Sequence, residues 1–331
     1  LKCNQQKPAL FLGRPPWPAM LAMRSVAAVA RRGISSRGVS CLAGAKAGNL
    51  VRFICPKGLE HWGALTEQGA AGGARRARKV ETVLGGSWVA SDKEEEIVKV
   101  LAPLPVEPAP AIFIMGLSYR SHAEETGQQV HKFPVYAMKN PASVIGPEVP
   151  ISIPSIARAK PEVDFEAELA IVIGRPVRDA SPEEALGAVL GVTGANDVSA
   201  RRWQGKKGGG QWSRSKSFDT FCPLGPTIAP LSPDGAGAAL AAGGPGLQVR
   251  SIVNGKVMQD GNTSDMVFSI GYIVSYLSEG TTLLPGTVIL TGTPPGVGYV
   301  RKPPVWLTAG DRVDVELEGT GLLSNPVEDG P

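Results

Sequence analysis

The sequence has few cysteines, and their spacing argues against a metal or redox centre built from thiols. The four cysteines of the 331-residue chain stand at positions 3, 41, 55 and 222 and form no C-x-x-C pair. This spacing excludes the usual zinc and dithiol motifs. Reduced thiols fit the pattern, and Cys222, between a phenylalanine and a proline, is predicted to lie in the core.

Acidic residues are absent from the first 59 positions. Ten lysines and arginines precede Glu60, so the net charge of +4 comes from this segment and the remainder is slightly acidic. Strong nucleic-acid binding by the folded part is therefore not expected. The segment also lacks an apolar run long enough for a signal sequence or a membrane span.

The same segment has the composition of an organelle transit peptide. From Met23 it is MRSVAAVARRGISSRGVSCLAGAKAG, rich in Arg, Ser and Ala. A disordered basic tail is the alternative interpretation. We predict that residues 1–47 form a basic leader for mitochondrial import.

The rest of the chain divides at a proline-rich run. The chain is 43% apolar and 19% charged, which is typical of a globular protein. Prolines between 103 and 110 mark the boundary between a small N-terminal region, 48–107, and a main domain, 108–331. In the small region we predict strands at 48–63, a linker at 64–78 and a short helix at 92–101.

In the main domain, strands outnumber helices and do not alternate regularly with them, which predicts an α+β, β-rich fold. Ser181 and Glu184 form a capping box at the start of a predicted helix. Helix capping accounts for Glu184, which is therefore not a candidate active-site residue. Asn254-Gly255 predicts a tight hairpin turn, and Gly280 is expected to end a helix. Surface loops are predicted at 205–212 and 229–246.

Three carboxylates stand near the start of an apolar run. On a strand, Glu166 and Glu168 share a face, because side chains two positions apart point the same way. Their repulsion must be offset by solvent, basic partners or a bound cation. A solvated strand face is the simplest alternative, but the apolar run to Ile173 and the nearby Asp197 count against it. Three carboxylates without neighbouring Cys or His describe a site for Mg²⁺ or Mn²⁺ rather than zinc.

A histidine and a glutamate three residues apart form a second candidate. His122 and Glu125 would be adjacent on one face if their segment is helical. A surface hydrogen bond is the alternative to a catalytic role.

Several blocks together resemble the fumarylacetoacetate hydrolase superfamily. They are DFEAELAIVIG, NDVSARRWQ, KSFDTFCPLGP, NTSDMVF and VILTGTPPGVG, which occur in that family's order from about Ile114 to the C-terminus. The resemblance implies the mixed β-sandwich roll of the superfamily's C-terminal domain, and a homodimer.

The resemblance also assigns roles to individual residues. The sequence differs from the family pattern at Ser118, where Asn is usual, and at Arg202, where Asp is more frequent. The implied metal ligands are Glu166, Glu168 and Asp197, the catalytic residues are Lys216 and the lid pair His122 and Glu125, and the residues lining the substrate pocket are Lys139, Arg201, Gln204 and Thr291.

These roles imply chemistry on small 2-oxo acids. A bound Mg²⁺ or Mn²⁺ would stabilise enolate charge, Lys216 would add a positive charge at the oxyanion, and His122 would act as general base. The most similar part of the family implies oxaloacetate keto–enol tautomerisation. Alternatives are C–C bond hydrolysis of acylpyruvates or fumarylacetoacetate, oxaloacetate decarboxylation, and a non-catalytic binding protein on the same fold.

The leader hypothesis has a direct test. A fusion of residues 23–60 to a fluorescent protein should be imported into mitochondria and cleaved, as seen by microscopy and by a shorter band on an immunoblot. A diffuse cytosolic signal without processing would contradict the prediction.

Overall fold

The computed structural model describes residues 41–66, 75–80, 88–105, 111–231, 236–241 and 244–331. Within these ranges the strands are β1 Leu50–Ile54, β2 Glu60–Leu65, β3 Arg76–Val80, β4 Ala90–Glu96, β5 Lys99–Val100, β6 Ile112–Gly116, β7 Val135–Lys139, β8 Val144–Ile145, β9 Ile151–Ile153, β10 Val163–Asp164, β11 Ala167–Ile173, β12 Val189–Asn196, β13 Ser199–Ala200, β14 Cys222–Ala229, β15 Gln248–Val253, β16 Lys256–Asn262, β17 Val288–Leu290, β18 Arg312–Leu317 and β19 Gly321–Asp329. The α-helices are α1 Arg120–Glu125, α2 Ser155–Arg158, α3 Pro182–Leu186, α4 Arg201–Gln204, α5 Trp212–Lys216, α6 Ala236–Leu240 and α7 Ile270–Ser278.

Twelve strands form one mixed sheet. Its order is β4-β3-β2-β1-β14-β12-β11-β17-β6-β7, with β5 beside β1 and β8 beside β14. A second sheet has the order β16-β15-β18-β19-β9, and β10 pairs with β13 in a short ribbon. Most neighbours are antiparallel, whereas β6 with β17, β8 with β14 and β9 with β19 are parallel. The predicted α+β, β-rich fold, a mixed β-sandwich roll, is confirmed.

Strand β11 lies inside this arrangement and is buried on both faces. Leu169 and Ile171 belong to the core shared with helix α7 and the five-stranded sheet. Ala170 and Val172 belong to a second core on the opposite side of the strand. Burial on both faces explains why the strand is apolar throughout. This packing on both faces also holds the polar residues at the N-terminal end of β11 in position.

The N-terminal strands continue the large sheet. Strand β1 pairs with β14, with Leu50 opposite Ile228, which confirms the strands predicted at 48–63. Cys41 and Leu42 are buried in the fold. Of the predicted leader, residues 1–40 lie outside the described residues, whereas 41–47 belong to the described fold.

The helix predicted over 92–101 is wrong, because these residues form β4 and β5. Their acidic side chains pair across strands with basic residues of β3. Arg76 Nε lies 3.1 Å from Glu94 Oε2, and Lys79 Nζ lies 3.2 Å from Glu95 Oε1. Diagonal cross-strand ion pairs such as these add to the pairing of β3 with β4, an interaction that local helix propensity does not include.

The predicted loops are also more ordered than expected. Strand β3 begins inside the predicted linker 64–78, of which residues 67–74 lie outside the described part. Helix α6 lies within the predicted loop 229–246, and a 3₁₀ turn, Lys206–Gly208, lies within 205–212.

The short-range turn and cap predictions are confirmed. Asn254 and Gly255 have φ of +52° and +78° between β15 and β16, as a type I′ hairpin turn requires. Helix α7 ends just before Gly280, whose φ is +65°. No helix among the described residues is long and apolar enough to span a membrane.

The capping box of helix α3 gives a stability prediction. Glu184 N donates to Ser181 Oγ at 3.3 Å, and Ser181 N donates to Glu184 Oε2 at 2.9 Å. Ser181→Ala should lower the free energy of unfolding by about 1 kcal/mol, because the cap is lost. Ser181→Asp retains a capping oxygen and should lose less. Urea denaturation of both variants checks this, and an unchanged midpoint for the alanine variant would contradict it.

Candidate active site

Three buried carboxylates meet at the N-terminal end of β11. Glu168 lies in β11 and Glu166 directly before it, while Asp197 follows β12. These antiparallel strands pair Ala167 with Asn196, so the end of β12 lies beside the start of β11. One carboxylate oxygen of each residue lies within 4.8 Å of the others. The structure therefore brings together the three residues predicted as metal ligands.

Two of these carboxylates are neutralised by basic side chains. Glu166 accepts from Lys216 Nζ at 2.5 Å and pairs with Arg201 Nη2 at 2.7 Å. Asp197 accepts from Lys139 Nζ at 2.5 Å on Oδ1 and from Lys216 Nζ on Oδ2. Burial raises the pKa of Glu166, but the charges of Arg201 and Lys216 outweigh burial and hold it well below its ordinary value. This carboxylate is therefore ionised at neutral pH.

Glu168 has a different environment. Among the described residues it accepts one hydrogen bond, from the Gly292 amide to Oε2 at 2.6 Å. Burial raises the pKa of Glu168 well above its ordinary value, and the charges of Asp197 and Glu166 raise it further. Glu168 thus has no ion-pair partner among the described residues, although the charge of Lys216 acts on it from nearby and lowers its pKa in part.

This donor set fits a hard divalent cation. Glu166, Glu168 and Asp197 offer carboxylate oxygens, the ligands that Mg²⁺ and Mn²⁺ prefer. A divalent cation would also offset the uncompensated charge of Glu168. These three residues could therefore hold the metal that the sequence predicts.

His122 and Glu125 lie together on helix α1, and His122 borders the cavity beside the carboxylates. His122 Nδ1 is 3.2 Å from Glu125 Oε2. A carboxylate oxygen accepts a hydrogen bond from an Nδ1–H group, and in the neutral imidazole that carries its proton there, Nε2 is the acceptor. The Gly296 amide donates to both carboxylate oxygens of Glu125, at 3.0 and 3.1 Å.

The side chains enclose a cavity of about 330 Å³. It brings His122 and two of the carboxylates, Glu166 and Glu168, together with two of the predicted substrate-binding residues, Arg201 and Gln204. The cavity is lined by Met115, Gly116, Leu117, His122, Gln128, Glu166, Glu168, Arg201, Gln204, Gly205, Trp212, Lys216, Thr293 and Tyr299.

Lys139 and Thr291 do not line this cavity, so their predicted contact with substrate requires correction. Besides Asp197, Lys139 Nζ donates to the Lys216 carbonyl at 2.5 Å, and its side chain is fully buried. Thr291 Oγ1 donates to the Leu169 carbonyl at 2.9 Å. Both side chains lie behind the cluster and hold its backbone and carboxylates in place.

Two residues of the site were missed at the level of sequence. Asp164 is fully buried and accepts from Arg201 Nε at 2.9 Å and Nη2 at 2.7 Å. Tyr299 lines the cavity, and its ring centroid lies 4.4 Å from Arg201 Cζ. Asp164 stands two positions before Glu166, the spacing that already singled out the glutamate pair. Nothing in the local pattern marks Tyr299.

The structure shows how the two residues that depart from the family pattern are held. Arg202 Nε lies 3.0 Å from Glu162 Oε1, and Nη2 donates to the Ile156 carbonyl at 2.7 Å, so its charge is directed away from the cavity wall. Ser118 anchors its loop through the main chain, because its carbonyl accepts from the Val267 amide at 2.7 Å.

Comparisons with known proteins give a family match and similar solved structures. The family model described as fumarylacetoacetate (FAA) hydrolase C-terminal matches residues 111–328. Oxaloacetate tautomerase fahd2, mitochondrial, of Xenopus laevis is 44% identical over 223 residues, 67% of each chain. The 2-hydroxyhepta-2,4-diene-1,7-dioate isomerase of Mycobacterium marinum is 37% identical, with a TM-score of 0.69 over 86% of this chain and 99% of that one. A fumarylacetoacetate hydrolase of Exiguobacterium antarcticum is 34% identical, with a TM-score of 0.71 over 85% and 99%.

The unbalanced charge of Glu168 gives a prediction for Glu168→Gln. Because its pKa is raised in the folded protein, Glu168 contributes stability that is present below its unfolded pKa of about 4.3 and is lost as the pH rises through the folded value. In EDTA the glutamine variant should therefore be more stable than the wild type, and this difference should grow with pH. Thermal unfolding between about pH 5 and 8 measures it.

The same variant should respond weakly to Mg²⁺. Magnesium at about 100 times its Kd should stabilise the wild type by about 2.7 kcal/mol, whereas the variant has lost a ligand charge. Glu183→Gln, an exposed glutamate on helix α3, is the matched control and should behave as the wild type. Equal Mg²⁺ stabilisation of Glu168→Gln and the wild type would contradict a metal site here.

Proposed function

This chain belongs to the fumarylacetoacetate hydrolase family, and from that premise we propose that it is an oxaloacetate keto–enol tautomerase that depends on Mg²⁺ or Mn²⁺. Relatives named oxaloacetate tautomerase and isomerase support an isomerase within this enzyme family. The observation that carries the proposal is the His122 ring, which lines the cavity with Glu166 and Glu168 and has its Nδ1 3.2 Å from Glu125 Oε2, the arrangement of an oriented general base.

The proposed reaction moves one proton from carbon to oxygen. His122 Nε2 takes a proton from C3 of the keto acid and a proton is delivered to the C2 oxygen, which gives the enol without breaking a C–C bond. Glu125 holds the Nδ1 proton and stabilises the imidazolium while it carries the second proton. A divalent cation held by Glu166, Glu168 and Asp197 would supply Lewis-acid stabilisation of the enolate charge.

Lys216 supplies a fixed positive charge next to this chemistry. Burial lowers the pKa of Lys216, but the charges of Asp197 and Glu166 outweigh burial and raise it above its ordinary value. The ammonium group is therefore charged at neutral pH. A preorganised cation near the developing oxyanion lowers the energy of the transition state.

Arg201 and Gln204 are suited to bind a substrate carboxylate. The Gln204 carbonyl oxygen accepts from Arg201 Nη1 at 2.8 Å, so the amide NH₂ of Gln204 remains a donor at the cavity wall. The Arg201 guanidinium is held by Asp164 at the same time. This rigid pair of donors supports an anionic 2-oxo acid as substrate.

A second candidate function is hydrolysis of an acylpyruvate. Trp212 packs closely on Gly116, where an added Cβ would lie 2.7 Å from the indole ring. Together with Met115 and Leu117, these two residues form an apolar part of the cavity wall. This part of the cavity would accommodate an acyl chain that oxaloacetate lacks. His122 would then activate water.

The location and assembly of the protein are part of the proposal. Relatives named mitochondrial and the basic segment before Glu60 support a mitochondrial enzyme. A homodimer is supported by the apolar side chains Phe133, Tyr136 and Met138, which are 41–54% exposed on and beside β7, the last strand of the large sheet.

Exchange in D₂O distinguishes the two candidate functions. With Mg²⁺ present, the enzyme should accelerate C3 hydrogen exchange and keto–enol interconversion of oxaloacetate without releasing pyruvate, as followed by NMR. His122→Ala should slow this exchange by about 10²- to 10⁴-fold, the usual effect of removing a positioned general base.

Another histidine provides the control for this variant. His131 is exposed and lies outside the cavity, so His131→Ala should exchange at the wild-type rate. Efficient cleavage of an acylpyruvate, with no accelerated tautomerisation of oxaloacetate, would establish the hydrolase instead.

A further inference from the structure

The turn after β17 holds Glu125 through a single backbone amide. Gly296 donates to both oxygens of this carboxylate, and Glu125 in turn contacts His122. Gly296 has a φ of +104°, and a Cβ at this position would lie 2.3 Å from the Met258 carbonyl oxygen. The turn therefore packs directly against β16 at the residue that contacts Glu125.

Arg301 connects this turn to β16. Its Nε donates to the Gly296 carbonyl at 3.0 Å, and its Nη2 donates to the Met258 carbonyl. One planar guanidinium thus bridges the glycine and the strand beneath it. Because the guanidinium group is planar and rigid, it links the two carbonyl groups with little freedom of rotation.

We propose that Arg301 is a positioning residue for His122, acting through Gly296 and Glu125. The proposal rests on the proposed function, in which His122 is the base. Arg301 is not among the residues lining the cavity, so it acts without touching the substrate. Arg301 holds Gly296 in the position from which its amide donates to Glu125. The carboxylate of Glu125, oriented in this way, keeps the proton of His122 on Nδ1.

The alternative tautomer explains why this matters. If Gly296 moves away, Glu125 loses its amide donor and is less firmly oriented towards Nδ1. The imidazole can then carry its proton on Nε2, and a protonated Nε2 cannot accept a proton from the substrate. Loss of Arg301 should therefore reduce the fraction of enzyme with a competent base.

The tautomer can be measured without any activity assay. The chain has three histidines, so ¹⁵N-histidine labelling gives a spectrum with few signals. In the wild type, His122 should show a protonated Nδ1 and a bare Nε2. Arg301→Ala should shift this residue towards the other tautomer and leave the signals of His61 and His131 unchanged. Arg250→Ala, which removes a partly exposed arginine paired with Asp260, is the matched control.

Kinetics provide the second readout. Arg301→Ala should lower kcat for oxaloacetate exchange by about 10- to 100-fold, because small displacements of a catalytic group have effects of this size, while KM changes little. Arg301→Lys keeps the positive charge but has a single donor nitrogen, so it should recover part of the loss in kcat. If the alanine variant does not fold, the lysine variant is compared with the wild type instead. In a Glu125→Ala background, Arg301→Ala should cause no further decrease, since residues acting in one chain are not additive.

These outcomes separate the inference from the proposed function. A folded Arg301→Ala protein with the wild-type tautomer of His122, or an effect that adds fully to that of Glu125→Ala, would overturn the positioning role. If the wild type fails to accelerate exchange while the tautomer still depends on Arg301, the positioning role stands and the tautomerase proposal fails.

Discussion

The balance of charge at the start of β11 is the constraint on which the rest of the site depends. Burying carboxylates is costly unless each is paired, and this fold buries Glu166, Glu168 and Asp197 within reach of one another. Lys216, Lys139 and Arg201 neutralise two of them and leave Glu168 uncompensated. A divalent cation would supply the positive charge that Glu168 lacks among its direct contacts, and this is the reason for proposing a cation site at the cluster.

The turn between β17 and Arg301 connects this cluster to the other parts of the site. Four of its backbone amides donate to carboxylates: Gly292 to Glu168 at 2.6 Å, Gly296 to Glu125 at 3.0 Å, and Gly298 and Tyr299 to Asp164 at 2.7 and 3.1 Å. Glu168, Glu125 and Asp164 are thus all held by one short segment. Backbone amides at fixed spacing hold these carboxylates in a constant relative geometry, which electrostatic catalysis requires.

Much of the fold and of the site was predictable from the sequence, for identifiable reasons. Period-2 spacing placed Glu166 and Glu168 on one face, and family blocks identified Asp197, His122 and Lys216. The capping box at Ser181 and the Asn254-Gly255 turn depend on local chemistry and were predicted correctly. The segment 92–101 was not, because its conformation depends on charges of β3 that local propensity ignores. Lys139 and Thr291 were assigned to the cavity because a family block gives proximity to a site but not the direction of a side chain. Asp164 and Tyr299 meet Arg201 through long-range packing that no local pattern reports.

The central claim is that the three carboxylates form the cation site of the enzyme. The most direct measurement is the anomalous scattering of a crystal of the protein grown with Mn²⁺, which locates the ion without reference to activity. We expect a strong peak bounded by the carboxylates of Glu166, Glu168 and Asp197, and we expect Mg²⁺ to displace it. Fully occupied Mn²⁺ elsewhere in the molecule, or no peak at this cluster at a saturating concentration, would contradict the claim.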